Sequence, residues 1–438
     1  MPTNRVTERL SWLALAAIVA VLVLASGLRA GVLWKFGAQL AEDPDHYRRI
    51  AKQLTAGQGY SDPQTGAPTA YRPPVYPLLL AAIIRCRGSD SAIGIVQAVL
   101  GVGTVALTIC AGRRMGLGRG SIVAGILVAV DPILLHQTSQ VMTETTATFL
   151  AALCLWLGAM PMTPLRGFLL GIVFGAACLC RPTFWGFGIL AGLIWLVNRM
   201  RSSDWQEGFD DREIQPVFFA LVGLLAVVAP WVHRNATVMQ RPTVTTTHGG
   251  YTLLLAHNPE YTRAVVEQPW GTVWQSPSFD QWTEAIDTEL AARNPPLDQA
   301  HLSPPVELAR DAWMYDKAWI YMQCDPKTAV KAGLTLLGRM WNIMPAATNE
   351  AGRSREVRMA IGAFYIAVLA GLVIGILRVV FSDWQAWWPP VALILSYTAV
   401  HALYWADMRM RAPLVPAIAL LAAAGCLGLV REPADEED

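Results

Sequence analysis

The chain has 438 residues, of which 54% are hydrophobic and only 15% charged, and its mean hydropathy is +0.36. Because a soluble domain normally carries about 25% charged residues, this composition excludes a nucleic-acid-binding protein, a disordered scaffold and an ordinary cytosolic enzyme. Lysine and arginine number 34 against 33 aspartate and glutamate, so the net charge of +1 indicates no particular partner. The apolar residues gather into runs long enough to cross a bilayer. The sequence therefore predicts an all-α polytopic membrane protein.

The first apolar run, about Leu10 to Leu33, predicts a retained transmembrane helix, because no small-residue cleavage site ends it. Arg5 and Arg9 precede this run, and basic residues mark the cytoplasmic side of a span. We therefore expect the N-terminus in the cytoplasm and the loop of residues 34–76 outside.

The next apolar run, Val75–Ile84, is too short to cross a bilayer. If it crossed, the following span would place Arg113, Arg114 and Arg119 outside, against the positive-inside bias. We therefore expect an interfacial helix here, and the second span at about Ser91–Ala111.

Eight further apolar runs predict the remaining spans. Arg181-Pro182 separates two of these runs, and a proline there is also compatible with a kink in one longer element. A short apolar stretch, 328–345, is expected at the interface. The sequence thus predicts about 10–12 transmembrane helices, with ten spans placing both termini in the cytoplasm. The eight runs are 121–136, 143–160, 166–180, 183–198, 214–232, 358–381, 386–405 and 412–430.

Three parts follow from this pattern. Residues 1–232 form an N-terminal transmembrane module that includes the loop 34–76. Residues 233–357 are rich in Pro, Trp and Tyr, and we expect a small external cap of helices and turns. Residues 358–438 form the C-terminal transmembrane helices. The sequence has no internal repeat of the kind found in inverted-repeat transporters.

The first external loop carries two acidic residues ahead of a helical pattern. Apolar residues recur at helical spacing after Pro44, which predicts Asp43 as the N-cap and Pro44 as the first helical residue. Capping alone explains this arrangement. Alternatively, Asp43 or Asp45 faces a cleft and acts as a base or metal ligand, because a helix N-terminus keeps a carboxylate ionised.

A proline-rich run, residues 68–77, follows in the same loop. Such a run is often only a rigid connector. Arg72 within it has no acidic partner nearby in sequence, so its guanidinium is also a candidate to bind a phosphate.

The order of residues in this loop and in three later segments carries a family resemblance. In the loop the residues are Asp43, Tyr47, Ala51, Gly57, Gly59-Tyr60, Thr69-Ala70-Tyr71-Arg72-Pro73-Pro74 and Tyr76-Pro77-Leu78. The later segments contain Asp131-Pro132, Thr138-Ser139 and Glu144, then Pro230-Trp231, Arg234-Asn235, Gly249-Gly250, Leu253 and Asn258-Pro259, and finally His401, Asp407, Arg409, Arg411 and Pro413. Together they resemble bacterial relatives of glycosyltransferase family 39, which include the aminoarabinose and protein O-mannosyl transferases of the GT-C class.

The resemblance, which runs from about residue 40 to 425, implies a GT-C fold and an inverting sugar transfer from a polyprenyl-phosphate donor on the external face. A carboxylate must then act as base on the acceptor hydroxyl. Asp43 is the preferred base and Asp45 the alternative. The leaving phosphate needs cations, and the external-face candidates are Arg72, Arg234 and Arg409.

Other residues of the matched segments are expected to support this site. Glu144 lies at the outer end of a span, where it either takes part in the site or only pairs with an external arginine. Asp43, Asp45 and Glu144 are also the candidate ligands if the reaction uses a divalent metal ion. The supporting candidates are Tyr47, Tyr71, Glu144, His233, His401 and Asp407.

A secondary transporter or flippase of a lipid-linked substrate is the main alternative. It predicts ionisable residues at the middle of spans and paired broken helices, whereas the apolar runs here are nearly free of charge. The expected partners are a polyprenyl-phosphate sugar, the bilayer, and an envelope lipid, glycan or protein as acceptor, with no nucleic acid. Resemblance implies a location in the cell membrane.

Overall fold

The computed structural model describes residues 12–86, 88–201, 211–345 and 354–429. In these ranges the chain is helical, with no strand beyond one antiparallel bridge between Ser61 and Pro68, which confirms the predicted all-α class. The helices are α1 (Trp12–Phe36), α2 (Tyr47–Thr55), α3 (Val75–Arg85), α4 (Asp90–Arg114), α5 (Gly120–Val130), α6 (Pro132–Gln137), α7 (Glu144–Gly158), α8 (Pro164–Cys180), α9 (Phe184–Arg201), α10 (Asp211–Val238), α11 (Gly249–Ala256), α12 (Pro259–Tyr261), α13 (Ser278–Ala291), α14 (Pro304–Cys324), α15 (Pro326–Met340), α16 (Arg355–Ser382), α17 (Trp384–His401) and α18 (Val415–Leu427).

The chain is a multi-pass membrane protein by the length and composition of its helices. Within the described ranges, five segments are long and apolar enough to cross a bilayer: Trp12–Ala41, Asp90–Arg114, Ile214–Val238, Arg355–Ser382 and Met408–Leu427. Five further apolar helices, α3, α5, α7, α8 and α9, are shorter. Helix α3 has 11 residues and rises about 16 Å, half the thickness of a hydrocarbon core, as the sequence predicted. The termini, with Arg5 and Arg9, lie outside the described residues.

The predicted span 121–136 is wrong as a continuous helix. Helix α5 ends at Val130 and α6 begins at Pro132. Between them, Oδ1 of Asp131 accepts hydrogen bonds from the N–H groups of Ile133 and Leu134 at 2.9 and 3.0 Å. An aspartate cap followed by proline at the first helical position starts a new helix. At Arg181-Pro182 the chain likewise forms two helices, α8 and α9, rather than one kinked element.

Close backbone packing holds two pairs of long helices together. A Cβ added at Gly171 of α8 would lie 1.9 Å from the carbonyl oxygen of Ala220 in α10. A Cβ at Gly375 of α16 would lie 1.8 Å from the carbonyl oxygen of Leu421 in α18. Small residues allow such approach, which is how helices associate where lipid removes the hydrophobic driving force.

Two polar segments lie next to these helices. The loop after α1 contains α2 and leads into α3, and the region after α10 contains α11 to α15. Helix α10 continues to Val238, past residue 232 at which the first module was expected to end. Helix α14 packs along α11 and contacts the first loop through Glu307, as described below.

Candidate functional site

Asp43 caps helix α2, although it lies four residues before the helix begins. The helix begins at Tyr47, so the predicted start at Pro44 is wrong; the residue before Tyr47 has a left-handed φ of 62°, which interrupts the helical path. Even so, Oδ1 and Oδ2 of Asp43 accept hydrogen bonds from the backbone N–H groups of Arg48 and Arg49 at 3.1 and 2.9 Å. Both carboxylate oxygens of Asp43 therefore bind the first turn of α2.

Asp45 pairs with Arg72, 27 residues later in the same loop. Nη2 of Arg72 donates to Oδ1 of Asp45 at 2.9 Å, and Nε donates to the Asp45 carbonyl oxygen at 3.1 Å. The guanidinium carbon lies 5.2 and 5.1 Å from the ring centres of Tyr47 and Tyr71. Burial lowers the pKa of Arg72, but Tyr47, Asp45 and Tyr71 outweigh it and leave the pKa above its usual range. Arg72 is thus a fixed cation held between the two tyrosines.

Glu144 opens α7 and is only 1% exposed. Its Oε1 lies 3.0 Å from Nη1 of Arg181 and 3.9 Å from Nε of Arg409. Nε of Arg409 also donates to Oδ2 of Asp407 at 3.2 Å. The contact with Arg181 is an ion pair without hydrogen-bond geometry, since Nη1 of Arg181 and Oε2 of Glu144 make no hydrogen bond to any described residue. Glu144 is thus a buried carboxylate between two arginines.

The two groups of ion pairs lie near each other. Burial raises the pKa of the Tyr47 hydroxyl to about 12, and Arg72, Asp45, Glu144 and Arg181 all act on it electrostatically. Arg409 in turn lowers the pKa of Arg72 through like-charge repulsion. Three positive and three negative side chains balance in formal charge. We call them the charge cluster: Asp45, Arg72, Glu144, Arg181, Asp407 and Arg409.

Arg181 was not among the residues predicted from the sequence. It lies between α8 and α9, directly before Pro182, where the sequence indicates only a helix break or kink. Its position at the end of an apolar run could have indicated a functional residue. An ionisable side chain there is energetically costly unless it has a partner or takes part in function. Its partner, Glu144, is 37 residues away, and nothing in the sequence pairs the two residues.

Arg234 and His233 lie at the end of α10, apart from the contacts that build the charge cluster. Nη1 of Arg234 donates to the carbonyl oxygen of Thr69 at 2.8 Å, and its guanidinium lies 5.3 Å from the ring of Trp231. His233 is exposed. His401, at the end of α17, is 4% exposed, and neither of its ring nitrogens makes a hydrogen bond to a described residue.

Glu307 of α14 fixes the backbone just before Arg72. Its carboxylate accepts hydrogen bonds from the hydroxyls of Thr69, at 2.6 Å, and Thr247, and from the N–H of Ala70 at 2.8 Å. Burial raises the pKa of Glu307, and these donors act in the opposite direction. The sequence offered no signal for this contact, because it joins residues 237 positions apart.

The carboxylates proposed from the sequence as metal ligands do not converge on one site. Of the described side chains, no three His, Cys, Asp or Glu residues converge as ligands. Asp43 binds backbone amides, Asp45 binds Arg72, and Glu144 lies against Arg181. We therefore assign no chemical step to a metal.

A family match covers the segment that contains half of the charge cluster. Residues 71–233 match the family described as dolichyl-phosphate-mannose-protein mannosyltransferase. The match includes Arg72, Glu144 and Arg181 and ends just before Arg234. No match was found among curated protein sequences.

Solved structures share the fold over nearly the whole chain. The apo oligosaccharyltransferase of Archaeoglobus fulgidus is 13% identical with a TM-score of 0.54, covering 94% of this chain and 51% of that one. The oligosaccharyltransferase AglB of the same organism, in complex with an inhibitory peptide and a dolichol-phosphate, is 15% identical with a TM-score of 0.51, covering 95% and 50%.

ArnT from Cupriavidus metallidurans, bound to undecaprenyl phosphate, is 13% identical and covers 94% of this chain and 77% of that one, but its TM-score of 0.42 supports no further argument. The chain spans about half the length of the oligosaccharyltransferase chains that it matches. The resemblance drawn from the motifs is confirmed at this level: the chain has the fold of GT-C membrane glycosyltransferases, and its residues 71–233 match the dolichyl-phosphate-mannose-protein mannosyltransferase family.

Proposed function

We propose that the protein transfers a sugar from a polyprenyl-phosphate donor to an acceptor hydroxyl at the external face of the membrane. The observation that carries this proposal is the charge cluster, in which three arginines surround Glu144 and Asp45. Transfer from a glycosyl phosphate requires both carboxylates and arginines, because one group must accept the proton of the acceptor while others stabilise the leaving phosphate. The family matched by residues 71–233 supports the reaction class.

Asp45 is the base in this proposal, in place of Asp43. Both oxygens of Asp43 accept hydrogen bonds from α2, so using it would uncap the helix. Asp45 accepts its hydrogen bond from Arg72 through Oδ1. Its other oxygen, Oδ2, takes the proton from the acceptor hydroxyl as that oxygen attacks the anomeric carbon.

Arg72, Arg409 and Arg181 stabilise the leaving group. As the bond between the anomeric carbon and the phosphate oxygen breaks, negative charge grows on that oxygen, and a guanidinium stabilises it through paired N–H donors. Attack from the side opposite the phosphate inverts the anomeric configuration. Polyprenyl phosphate is released, and the proton stays on Asp45 until solvent removes it.

The acceptor is an envelope lipid, glycan or protein, and the protein resides in the cell membrane. The test combines the purified protein, a panel of radiolabelled polyprenyl-phosphate sugars and a crude cell-envelope fraction. We expect label in envelope material, with transfer reduced about 10²-fold or more by Asp45→Asn and less than tenfold by Asp43→Asn.

The same assay separates the competing interpretations. Loss of transfer in Asp43→Asn but not in Asp45→Asn would keep the reaction and overturn the choice of base. Absence of transfer from every donor, with lipid-linked substrate crossing proteoliposomes instead, would replace the transferase by a transporter or flippase.

A further inference from the structure

One face of helix α15 is apolar although it is exposed. The side of α15 that packs on the rest of the protein consists of Ala332, Gly333, Leu336 and Met340. On the opposite side, Val330 and Leu334 are 64% and 63% exposed, one helical turn apart. Trp270 lies beside them: it is 65% exposed, and its ring would be 2.2 Å from a Cβ at Gly338, one turn after Leu334. The three exposed side chains form one apolar patch, and such patches mark surfaces that bind a partner or a membrane.

Two lysines border this patch. Lys327 and Lys331 are exposed and lie one turn apart, on the same side of α15 as Leu334. The nearest carboxylate in the sequence, Asp325, accepts hydrogen bonds from the amide and the hydroxyl of Thr328 at 3.1 and 2.6 Å. Neither lysine forms an ion pair within the described residues. Apolar residues and lysines side by side on one face are typical of helices that lie in the interface of a bilayer.

Helix α13, in the same region of the chain, has a different exposed face. Gln281, Glu284 and Thr288 recur on it at helical spacing and are exposed, whereas Trp282 and Leu290 are buried. Polar residues outside and apolar residues inside are the pattern of a helix that faces water. The exposed apolar patch therefore distinguishes α15 from α13.

The contacts of α15 place it beside the ends of two helices of the membrane bundle. A Cβ at Gly333 would lie 2.7 Å from the carbonyl oxygen of Ala402, directly after α17. Met344, four residues after α15, contacts Gly362, where a Cβ would lie 2.8 Å from the Met344 Cγ. Gly362 is two turns inside the apolar helix α16, and Met359 in the same part of α16 is 58% exposed, as expected of a side chain that faces lipid. The exposed face of α15 thus continues the lipid-facing surface of the bundle.

We propose that α15, together with Trp270, lies in the external interface of the bilayer and binds anionic phospholipid there. The apolar patch enters the boundary between headgroups and acyl chains, where tryptophan is a preferred residue. The lysine side chains extend to the phosphate groups and provide the preference for anionic lipid. The surface consists of exposed side chains only, so lipid reaches it without any opening of the protein. It includes no member of the charge cluster, and its binding of lipid does not depend on sugar transfer.

The test is photocrosslinking of the full-length protein in nanodiscs. Benzoylphenylalanine replaces Leu334, and the discs contain equal amounts of phosphatidylglycerol and phosphatidylcholine with identical acyl chains, one of which is radiolabelled in each experiment. We expect a lipid adduct that is at least about fivefold more abundant with labelled phosphatidylglycerol, because a basic residue near an anionic surface contributes roughly that factor. The matched control places the crosslinker at Ala285, on the exposed face of α13, and should give no lipid adduct above background.

Lysine variants test the choice of lipid. When Lys327→Gln is combined with Lys331→Gln, the adducts with the two lipids should become about equal. Thermal melting confirms that each variant is folded, and Val330 is the second position for the crosslinker if the Leu334 variant unfolds. Absence of lipid adduct at these positions, equal adduct at Ala285, or a crosslink to another protein chain in place of lipid would overturn the proposal. A lipid adduct without preference for phosphatidylglycerol, or with a preference that the lysine variant keeps, would overturn the assignment of an anionic lipid.

Discussion

Replacing Glu144 by glutamine tests whether its buried charge holds the site together. The substitution keeps the volume of the side chain but leaves Arg181, 3.0 Å away, and Arg409, 3.9 Å away, without their shared carboxylate. Breaking a buried ion pair by removing one partner costs about 3–5 kcal/mol, because the remaining charge stays desolvated. We therefore expect Glu144→Gln to lower the free energy of unfolding by that amount.

The assay is reversible unfolding in mixed detergent micelles, with an exposed ion pair as the control. Arg310 and Asp287 form such a pair at 3.3 Å, and the Asp287 side chain is 52% exposed, so Asp287→Asn should cost at most about 1 kcal/mol. Combining Glu144→Gln with Arg181→Met should cost less than the sum of the two single changes, because the stranded charge is removed as well. A loss from Glu144→Gln no greater than that from Asp287→Asn would refute this account.

Three further predictions concern the segments around the site. Asp43→Asn should destabilise α2 by about 1 kcal/mol, because it weakens the cap of the helix. Amide hydrogen exchange in the first turn of α2 should then be faster than in the wild type, and an unchanged exchange rate would contradict the prediction. Burial raises the pKa of Asp311 from its usual 3.8 to about 6, so the folded protein favours the protonated carboxyl. This preference contributes fully to the free energy of unfolding below about pH 4. The contribution is lost as the pH rises through 6. Relative to Asp311→Asn, the wild type should lose at most about 3 kcal/mol of unfolding free energy across that window, and parallel pH profiles would contradict this. A Cβ at Gly250 would lie 2.2 Å from the Asp311 carbonyl oxygen, whereas one at Gly192 meets nothing within 4 Å. Gly250→Ala should therefore lower the melting temperature by several degrees, equivalent to about 1–3 kcal/mol, and Gly192→Ala should not; equal effects would show that the contact is unimportant.

Local signals in the sequence predicted the helices but not all of their ends. The apolar runs predicted the all-α class, and the short run that begins at Val75 predicted a helix too short to cross the bilayer. Asp131-Pro132 carries a cap and a first-turn proline, yet the apolar residues on both sides concealed the break when hydropathy alone was followed. Helix α2 starts later than the spacing indicated, because a left-handed residue before Tyr47 separates it from Pro44.

The partners of the site residues were beyond the reach of sequence reasoning. Asp45 and Arg72 are both in the first loop, and each was a candidate, but nothing in their spacing of 27 residues predicts a hydrogen bond at 2.9 Å. Glu144 and Arg181 meet because α7 packs against α8, which depends on the tertiary arrangement. The same holds for Glu307, whose three hydrogen-bond donors come from two loops far apart in the chain.

The balance of charge in the cluster explains how Arg72 and Asp45 can serve one reaction in sequence. Without substrate, each neutralises the other at 2.9 Å, which suits a partly buried position. An incoming donor phosphate competes with Asp45 for the N–H donors of Arg72, since guanidinium binds both anions through the same atoms. Under the proposed mechanism, the phosphate takes those donors and leaves both carboxylate oxygens of Asp45 free to accept hydrogen bonds from the acceptor hydroxyl. Donor binding itself therefore releases the proposed base from its ion pair, so Asp45 becomes available to the acceptor hydroxyl only when the donor phosphate is in place.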